Sequence, residues 1–379
     1  MESKIKTDIV KGFRDYSSEE AKKRAEVKKI LVETFEKYGF QPADTPIIEY
    51  EKFVKGDNEK DDAVSDVFKL QDRGKRKLAL RYEFTFQLKR LMQNRKLPFK
   101  RYQLGEVFRD EPISANRFRQ FVQCDIDTLG STLKDDAEIL ALTKEVLDKL
   151  EIKSTIYFNN RKLLDEILEK EGIKEKEKVI REIDKLDKLS EKEIKNNLKK
   201  FKAEKVIGIF KKDKKFFEKY EAYSEIKELK KYLKIYGVKA EFSPSLARGL
   251  SYYNGSVFEV KTPGAKETII AGGAYEFNKT QGFGISFGLD RISKLAKVED
   301  NKEKYLVVSL NQDKEAIKLS NELRKKANAS LFYGKPSKAL EYANSYSISK
   351  VIFVGEREVK SKKFKVKDMK TGKEILLKL

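Results

Sequence analysis

The sequence predicts an α+β fold, built on an antiparallel sheet with flanking helices, a helical insertion and a small C-terminal α/β domain. Residues 100–130 contain two segments that alternate polar and apolar side chains, which indicates two long antiparallel strands. Residues 160–235 are rich in lysine and glutamate and carry leucine and isoleucine at helical intervals, which indicates inserted helices. Strand patterns then return, and residues 304–379 alternate strands and helices separately.

These patterns predict the domain organisation. A main domain is divided into two parts by the insertion, and a charged linker, VEDNKEK, precedes the C-terminal domain. The predicted boundaries are residues 1–160 and 238–298 for the main domain, 161–237 for the helical insertion, 299–303 for the linker and 304–379 for the C-terminal domain.

The first predicted helix covers residues 17–38. Ser17 and Glu20 have the spacing of a capping box, and Gly39 supplies the left-handed residue that ends a helix. The prolines in PADTPIIE favour a short extended segment after it. Strands followed by a helix are predicted over residues 64–90, with a turn at residues 72–74.

The remaining elements follow the same periodicities. In the main domain, strands are predicted at SYYNGSVFEVKT, ETIIAGG and GFGISFG, and a helix begins near Leu289. In the C-terminal domain the predicted order is strand YLVVSL, helix DKEAIKLSNELRKKA, helix PSKALEYANSY, strand KVIFVG and the short strands KFKVKD and EILLKL. We expect this domain to pack its helices on a sheet.

Composition indicates a globular protein with a polyanionic partner. Its 379 residues are 39% apolar and include 24 Phe and 17 Tyr, enough for a sizeable core in two or three domains. Lys and Arg total 83 against 62 for Asp and Glu, a formal charge of +21 that favours nucleic acid as a partner. A lysine-rich solvated surface is the alternative, so charge alone identifies no ligand.

Cysteine and histidine usage excludes several chemistries. A single cysteine, Cys124, excludes an internal disulfide and a cysteine zinc site, and it fits a reducing compartment, so we expect a cytoplasmic protein. No stretch reaches the roughly 18 apolar residues of a membrane span, so no membrane partner is expected. The chain has no histidine, which excludes imidazole catalysis and histidine metal ligands, and the identity of any metal site stays unknown.

One predicted strand face is polar and could bind a small ligand. In an extended strand from Arg117 the shared polar face consists of Arg117, Arg119, Phe121, Gln123, Asp125 and Asp127. Phe118, Val122, Cys124 and Ile126 lie on the other face. Cations at one end, with an amide and carboxylates at the other, suit a ligand that has a phosphate and an amine or ring N–H. A solvated hairpin explains the alternation equally well.

Three blocks of this sequence resemble the histidyl-tRNA synthetase family, a branch of the class II aminoacyl-tRNA synthetases. RGLSYYNGSVFE, from Arg248 to Glu259, resembles the segment that distinguishes the family. FKRYQLGEVFRDEPISANRFRQFVQCDIDTLG resembles the second class II motif, and GFGISFGLDR resembles the third. The QCDID ending looks like the archaeal and eukaryotic branch. The lysine-rich C-terminal segment, including Lys335 and Lys338, resembles the family's anticodon-binding domain.

The resemblance implies roles for residues at the matching positions. It implies that Arg109 and Arg248 act on the α-phosphate of ATP, with Arg248 also near histidine. The other implied ATP-binding residues are Glu111, Arg117 and Arg291. The other implied histidine-binding residues are Glu83 and Thr85 at the α-ammonium, Gln123, Asp127, which would accept a proton from an imidazole nitrogen, and Tyr252 and Tyr253 beside the ring. Arg81, Glu83 and Thr85 are predicted to share a strand face.

Several positions depart from the family pattern. Tyr82 replaces a proline, Phe84 a small residue, Ser251 an aspartate and Ala274 an arginine. Pro46 fits the proline of the first class II motif, which implies a homodimer. The resemblance as a whole implies a ligase that activates L-histidine with ATP and Mg²⁺ and transfers it to tRNA(His).

Two alternatives to this ligase stay open. A catalytically inactive, synthetase-like regulatory or tRNA-binding protein is favoured by Ser251 and Ala274 and opposed by Arg109, Arg248 and Arg291. An enzyme for a different amino acid is disfavoured, because RGLSYY and QCDID together resemble the histidine enzymes.

Overall fold

The computed structural model describes residues 7–55, 66–114, 117–187, 189–248, 252–263, 268–298 and 303–377. The chain folds into two compact units, Met1–Val298 and Glu299–Leu379. No helix within the described ranges is long and apolar enough to cross a membrane.

The first unit contains the large sheet and most of the helices. Its strands are β1 (Gln41–Pro42), β2 (Ile48–Tyr50), β3 (Lys69–Gln71), β4 (Lys77–Leu80), β5 (Phe99–Phe108), β6 (Gln120–Leu129), β7 (Thr155–Asn160), β8 (Ala240–Phe242), β9 (Tyr253–Lys261), β10 (Thr268–Phe277) and β11 (Thr280–Gly288). Its helices are α1 (Ser18–Lys37), α2 (Glu51–Lys55), α3 (Thr85–Leu91), α4 (Leu133–Lys149), α5 (Arg161–Lys170), α6 (Lys176–Ile183), α7 (Glu191–Lys199), α8 (Val206–Phe210), α9 (Tyr223–Ile235) and α10 (Leu289–Leu295).

Among the described residues the large sheet has eight strands in the order β1-β5-β6-β11-β10-β9-β7-β8. Its central pairs, from β5 to β7, are all antiparallel, as predicted. The outer pairs β1–β5 and β7–β8 are parallel, so the sheet is mixed at its edges. A smaller antiparallel sheet has the order β2-β4-β3. The predicted fold class is therefore confirmed.

The first helix is confirmed, but its predicted capping box does not form. Ser17 occupies the N-cap with an extended backbone and makes no side-chain cap hydrogen bond. Glu20 lies 2.6 Å from Arg14 Nη2, and this ion pair takes the carboxylate that the box would need. Gly39 has φ of +80°, the left-handed conformation predicted to end the helix. The buried face of α1 places Leu31 and Phe35 in the main core.

The predicted strand through Arg81, Glu83 and Thr85 is wrong. β4 ends at Leu80, and α3 begins at Thr85. The Glu83 carboxylate accepts hydrogen bonds from the backbone N–H groups of Thr85 at 2.7 Å and Phe86 at 2.6 Å. These N–H groups have no partner inside the helix, so Glu83 stabilises a helix start where alternation favoured a strand. The three side chains therefore do not share a strand face.

The helical character predicted for residues 160–235 is confirmed by α5 to α9, with short 3-10 turns at Asp184–Asp187 and Lys214–Lys219. Leu163, Ile180 and Ile226 from these helices belong to the same apolar core as Phe158 and Phe258 of the sheet. The insertion thus packs directly on the sheet of its own unit. The predicted boundaries within this unit stay predictions.

The second unit contains a five-stranded sheet in the order β13-β12-β14-β15-β16. Its elements are β12 (Lys304–Ser309), α11 (Asp313–Arg324), β13 (Asn328–Tyr333), α12 (Pro336–Ser345), β14 (Lys350–Val354), α13 (Glu356–Ser361), β15 (Lys365–Asp368) and β16 (Glu374–Leu376). One apolar cluster joins the sheet to Leu319 of α11, and another joins it to Ala339 of α12. The predicted strand and helix order is present, with β13 and α13 added.

Candidate active site

A polar floor lies on the central strands of the large sheet. Gln123, Asp125 and Asp127 alternate along β6, while Val122, Cys124 and Ile126 point into the apolar core. The alternation predicted from sequence therefore holds over this part of the strand. Because β6 begins at Gln120, Arg117 and Arg119 lie before the strand and are not part of its face.

Asp127 is fixed by two side chains that the sequence analysis did not identify. Its Oδ2 lies 2.7 Å from Arg101 Nη2, and its Oδ1 accepts a hydrogen bond from the Tyr275 hydroxyl. Burial raises the pKa of Asp127, while Arg101 and Tyr275 act in the opposite direction. Gly284 leaves the space for this carboxylate, since a Cβ there would lie 2.0 Å from Asp127 Oδ1. The carboxylate is therefore held in one position.

Two further groups on the floor have unused hydrogen-bonding capacity. Gln123 Nε2 donates to Ser286 Oγ at 2.6 Å. Gln123 Oε1 and Asp125 Oδ1 are buried and have no hydrogen-bond partner among the residues that the structure describes. Burial raises the pKa of Asp125 to about 7, with Arg101 opposing this effect. Buried polar atoms of this kind are expected to bind water or a ligand.

Glu83 brings another carboxylate to the same region. Burial raises the pKa of Glu83, the side chain of Thr85 and the N–H groups of Phe86 and Thr85 oppose that effect, and the charge of Asp127 adds to it. Each carboxylate oxygen has two lone pairs and accepts one of these N–H groups, so capacity for a cationic donor remains. Glu83 and Thr85 therefore meet the floor from the start of α3, instead of from a strand.

Three tyrosine rings form an aromatic wall. The ring centroids of Tyr252 and Tyr253 are 4.9 Å apart, and Tyr275 meets Tyr252 edge to face at 6.1 Å. Burial raises the pKa of all three phenols, so they stay neutral. Two residues that differ from the family pattern could disturb this wall. Ala274 packs in the main apolar core, and Ser251 lies outside the described residues.

One cluster of cations gathers around Glu111. The Arg109 guanidinium lies over the rings of Tyr82 and Phe121, 4.3 and 5.1 Å from their centroids. Glu111 lies 4.0 Å from Arg109 Nη1 and 3.6 Å from Arg117 Nη1. Tyr82, which replaces the family's proline, thus provides a surface on which Arg109 rests. The structure thus brings Arg109, Glu111 and Arg117 together, and their assignment to an ATP site stays a prediction.

A second cluster gathers around Glu259, which the sequence analysis did not identify. The Glu259 carboxylate lies 3.6 Å from Arg248 Nη1 and 2.7 Å from Lys261 Nζ, and it accepts a hydrogen bond from Thr268 Oγ1 at 2.8 Å. Arg291 Nη1 donates to the carbonyl of Thr268 at 2.7 Å. Arg248 and Lys261 therefore meet around one buried acidic group, and Arg291 contacts Thr268, which also bonds to that group; three cations so arranged suit several phosphate oxygens.

Arg248 also has an unusual backbone. Its φ of +55° is the left-handed conformation, which is uncommon for a residue other than glycine. Its buried Nε has no hydrogen-bond partner in the described part of the chain. Such conformations are found at ligand-binding sites, where surrounding contacts maintain them.

The segment before α1 anchors the helix that carries Arg291. Asp290 accepts hydrogen bonds from Arg24 Nη1 at 2.6 Å, from the backbone N–H of Val122 at 3.2 Å and from the Tyr16 hydroxyl. The Arg24 guanidinium lies over the Tyr16 ring at 3.7 Å. Asp290 therefore joins α10 to α1, to β6 and to the segment before α1.

This architecture defines a class II aminoacyl-tRNA synthetase: an antiparallel sheet with a polar floor, two arginine clusters and a separate C-terminal domain. Residues 12–292 match the family described as histidyl-tRNA synthetase, and residues 304–379 match the anticodon binding domain. The chain belongs to the histidyl-tRNA synthetase family. The prediction of an aminoacyl-tRNA ligase of this family is confirmed.

Named relatives support the assignment over nearly the whole chain. Histidine–tRNA ligase 2 of Shouchella clausii is 34% identical, with 96% of each chain covered. Histidine–tRNA ligase 1 of Bacillus cereus is 33% identical, covering 97% of this chain and 96% of that protein. The crystal structure of histidyl-tRNA synthetase from Nostoc sp. PCC 7120 has a TM-score of 0.87 at 26% identity, covering 99% and 97% of the two chains. These three relatives are bacterial, so the archaeal and eukaryotic branch stays a prediction.

Proposed function

We propose that this protein activates L-histidine with ATP and then transfers histidine to the 3′ end of tRNA(His). The histidine carboxylate attacks the α-phosphorus of ATP, the bond from that phosphorus to the bridging oxygen breaks, and pyrophosphate leaves. The 3′-terminal hydroxyl of tRNA then takes the acyl group, and AMP leaves. The nucleophile in the first step is already an ionised carboxylate, so the reaction suits a chain without histidine.

The buried carboxylate of Asp127 is the observation that carries this proposal. It accepts a hydrogen bond from the Tyr275 hydroxyl, and the Tyr252 ring meets Tyr275 edge to face, so it would accept the N–H of a flat, polar ring such as imidazole. Glu83 and Thr85 would take the α-ammonium. Tyr252 and Tyr253 would pack beside the ring. A charge-assisted hydrogen bond in a buried pocket favours histidine over apolar amino acids of similar size.

The two cation clusters would bind ATP. We assign Arg109 and Arg248 to the α-phosphate, where negative charge develops, Glu111 and Arg117 to the nucleotide beside them, and Arg291 to the terminal phosphate. Mg²⁺ would enter with ATP as its counterion. Among the described residues there is no group of three or more acidic or cysteine side chains that could hold a resident metal. The contribution of Arg109, Arg248 and Arg291 to catalysis would be positioning and electrostatic stabilisation.

ATP–pyrophosphate exchange, measured with each amino acid in turn, tests this function. We expect exchange with histidine alone, because histidine combines an ammonium for Glu83 with a small ring that carries an N–H for Asp127, whereas tryptophan carries its ring N–H on a much larger ring. Exchange with a different amino acid would refute the substrate assignment. A folded protein that binds tRNA but supports no exchange with any amino acid would instead establish the regulatory alternative.

We also infer a homodimer, formed through the smaller sheet. Ile48 and Tyr50 lie on the same face of the edge strand β2, directly after Pro46, and are 51% and 58% exposed. Ile47 and Leu70 are exposed nearby. Apolar side chains gathered in this way are typical of a protein interface.

Replacing Ile48 with glutamate is expected to convert the dimer to a monomer, because each interface would bury two new charges. Light scattering after size-exclusion chromatography measures this directly. Ile317→Glu is the matched control, since Ile317 lies on α11 in the other unit and is 40% exposed. A native protein that is monomeric at micromolar concentration would contradict the inference.

The remaining assignments rest on the family and on charge. We propose that the C-terminal unit binds the anticodon region of tRNA, with Lys335 and Lys338 as candidate contacts. The formal charge of +21 supports a nucleic-acid partner. We further infer a cytoplasmic protein, and a histidine pocket of the archaeal and eukaryotic type on the basis of the QCDID segment.

A further inference from the structure

We propose that Arg101 is a positioning residue for amino-acid recognition, which holds Asp127 ionised and aimed at the ring N–H of the substrate. The proposal rests on the proposed function, since Asp127 must contact the imidazole. Arg101 itself would touch neither histidine nor ATP. It would act through the carboxylate to which it is paired.

The position of Arg101 fits this role. It lies on β5 directly opposite Asp127 on β6, and it is 0% exposed. Its Nη2 lies 2.7 Å from Asp127 Oδ2 and 3.1 Å from the carbonyl oxygen of Phe84. Phe84 stands between Glu83 and Thr85, the residues assigned to the ammonium. One guanidinium nitrogen therefore joins the ammonium-binding segment to the ring-binding carboxylate.

The arginine is poorly explained as a stabilising residue alone. Its Nε and Nη1 are buried and have no hydrogen-bond partner within the described ranges. Removing a guanidinium from water is costly, and buried ion pairs can often be replaced by apolar side chains without loss of stability. A cation retained here at such a cost points to a role for its charge.

The surrounding groups explain what that charge does. Asp127 faces Arg101 and the Tyr275 hydroxyl, and the carboxylates of Glu83 and Asp125 and the phenols of Tyr252 and Tyr253 lie within its electrostatic reach. The charge of Arg248 acts on Tyr253 and lowers the pKa of its phenol, against the effect of burial. Burial and neighbouring carboxylates favour protonation of the acidic groups, whereas Arg101 favours the ionised form of Asp127. A protonated Asp127 would present a weaker acceptor to an imidazole N–H.

The test is the pH dependence of the KM for histidine in ATP–pyrophosphate exchange, for native protein and Arg101→Met. At pH 7 we expect KM to rise roughly tenfold or more in the variant, as for loss of a charged hydrogen-bond acceptor, with kcat little changed. Without Arg101 the pKa of Asp127 rises further, so Asp127 ionises only at higher pH. The ratio of variant to native KM should therefore fall as pH rises from about 6.5 to 8.5. Taking the ratio cancels the titration of histidine itself.

Two further variants separate positioning from a general structural role. In an Asp127→Asn background, Arg101→Met should change KM by less than about twofold, because the group through which Arg101 acts no longer titrates. Arg101→Lys keeps the charge, so the ratio of its KM for histidine to the native KM should not change with pH. A native KM in Arg101→Met, or a raised KM ratio that is independent of pH and equally large in the Asp127→Asn background, would overturn the proposal.

Should Arg101→Met fail to fold, Arg101→Gln tests the same point, because it removes the charge but keeps a hydrogen-bond donor for Asp127 and Phe84. It is expected to show the falling ratio, and a ratio that does not change with pH would refute the inference. Failure of the proposed function is recognised separately, since the native protein would then show no histidine-dependent exchange.

Discussion

Replacing Arg248 with alanine is expected to lower the kcat of histidine-dependent ATP–pyrophosphate exchange by about 10²–10³-fold. Removal of one preorganised donor from a site of developing negative charge typically has an effect of this size. Arg248 is 26% exposed, lies 3.6 Å from Glu259 and keeps an unpartnered Nε in the described structure. The guanidinium is thus held in place while part of its donor capacity remains for the α-phosphate. Steady-state exchange kinetics at saturating ATP and histidine measure this.

Two controls accompany this variant. Arg248→Lys should recover only part of kcat, because an ammonium cannot reproduce the planar fork that binds two oxygens at once. Arg73→Ala removes an exposed arginine from the turn between β3 and β4 and should leave kcat unchanged. A kcat for Arg248→Ala within threefold of native would show that Arg248 does not stabilise the reacting phosphate.

The floor of the site was predictable because a strand has a side-chain period of two. Alternation along β6 placed Gln123, Asp125 and Asp127 on one face without knowledge of any partner strand. The two side chains that bind the Asp127 carboxylate were not predictable in the same way. Arg101 meets Asp127 only through the register of β5 with β6, and Tyr275 reaches it from β10, two strands away. Pairing of this kind depends on the whole sheet.

The glycines of this region illustrate the same limit. GFGISFG predicted a strand, and β11 confirms it, but the reason for Gly284 appears only in three dimensions. Gly284 is paired with Asp127 across the sheet and leaves room for its carboxylate. The Asp127 carboxylate, and not the strand conformation, therefore requires a glycine at position 284.

The error at residues 81–85 has a local cause. LRYEFT alternates like a strand, yet the Glu83 carboxylate accepts the first N–H groups of α3 and turns the chain into a helix. One side chain thus overrides the periodicity through two hydrogen bonds to the backbone. Only part of the second cation cluster was predicted from the sequence. Glu259 and Lys261 come near Arg248 and Arg291 only through the folding of β9, β10 and α10.

Replacing Glu83 with glutamine is expected to raise the KM for histidine by about 10–100-fold, equivalent to the roughly 1.5–3 kcal/mol of a hydrogen bond to a charged group. The amide would lose the negative charge that attracts the ammonium. Its NH₂ group would also face one of the two backbone N–H donors that Glu83 now accepts, which weakens the start of α3. Exchange kinetics as a function of histidine concentration measure the change in KM.

Substrate analogues distinguish these two consequences. Histidinol keeps the ammonium and the ring, so its inhibition constant should rise with the KM for histidine. 4-(3-Hydroxypropyl)imidazole keeps the ring without the ammonium, and its inhibition constant should change little. Glu276→Gln, at an exposed position next to Tyr275, serves as the matched control. Equal loss of affinity for both analogues would mean that Glu83 acts only by shaping α3. Loss confined to histidinol would assign the ammonium to Glu83, and the imidazole would then lie towards Asp127.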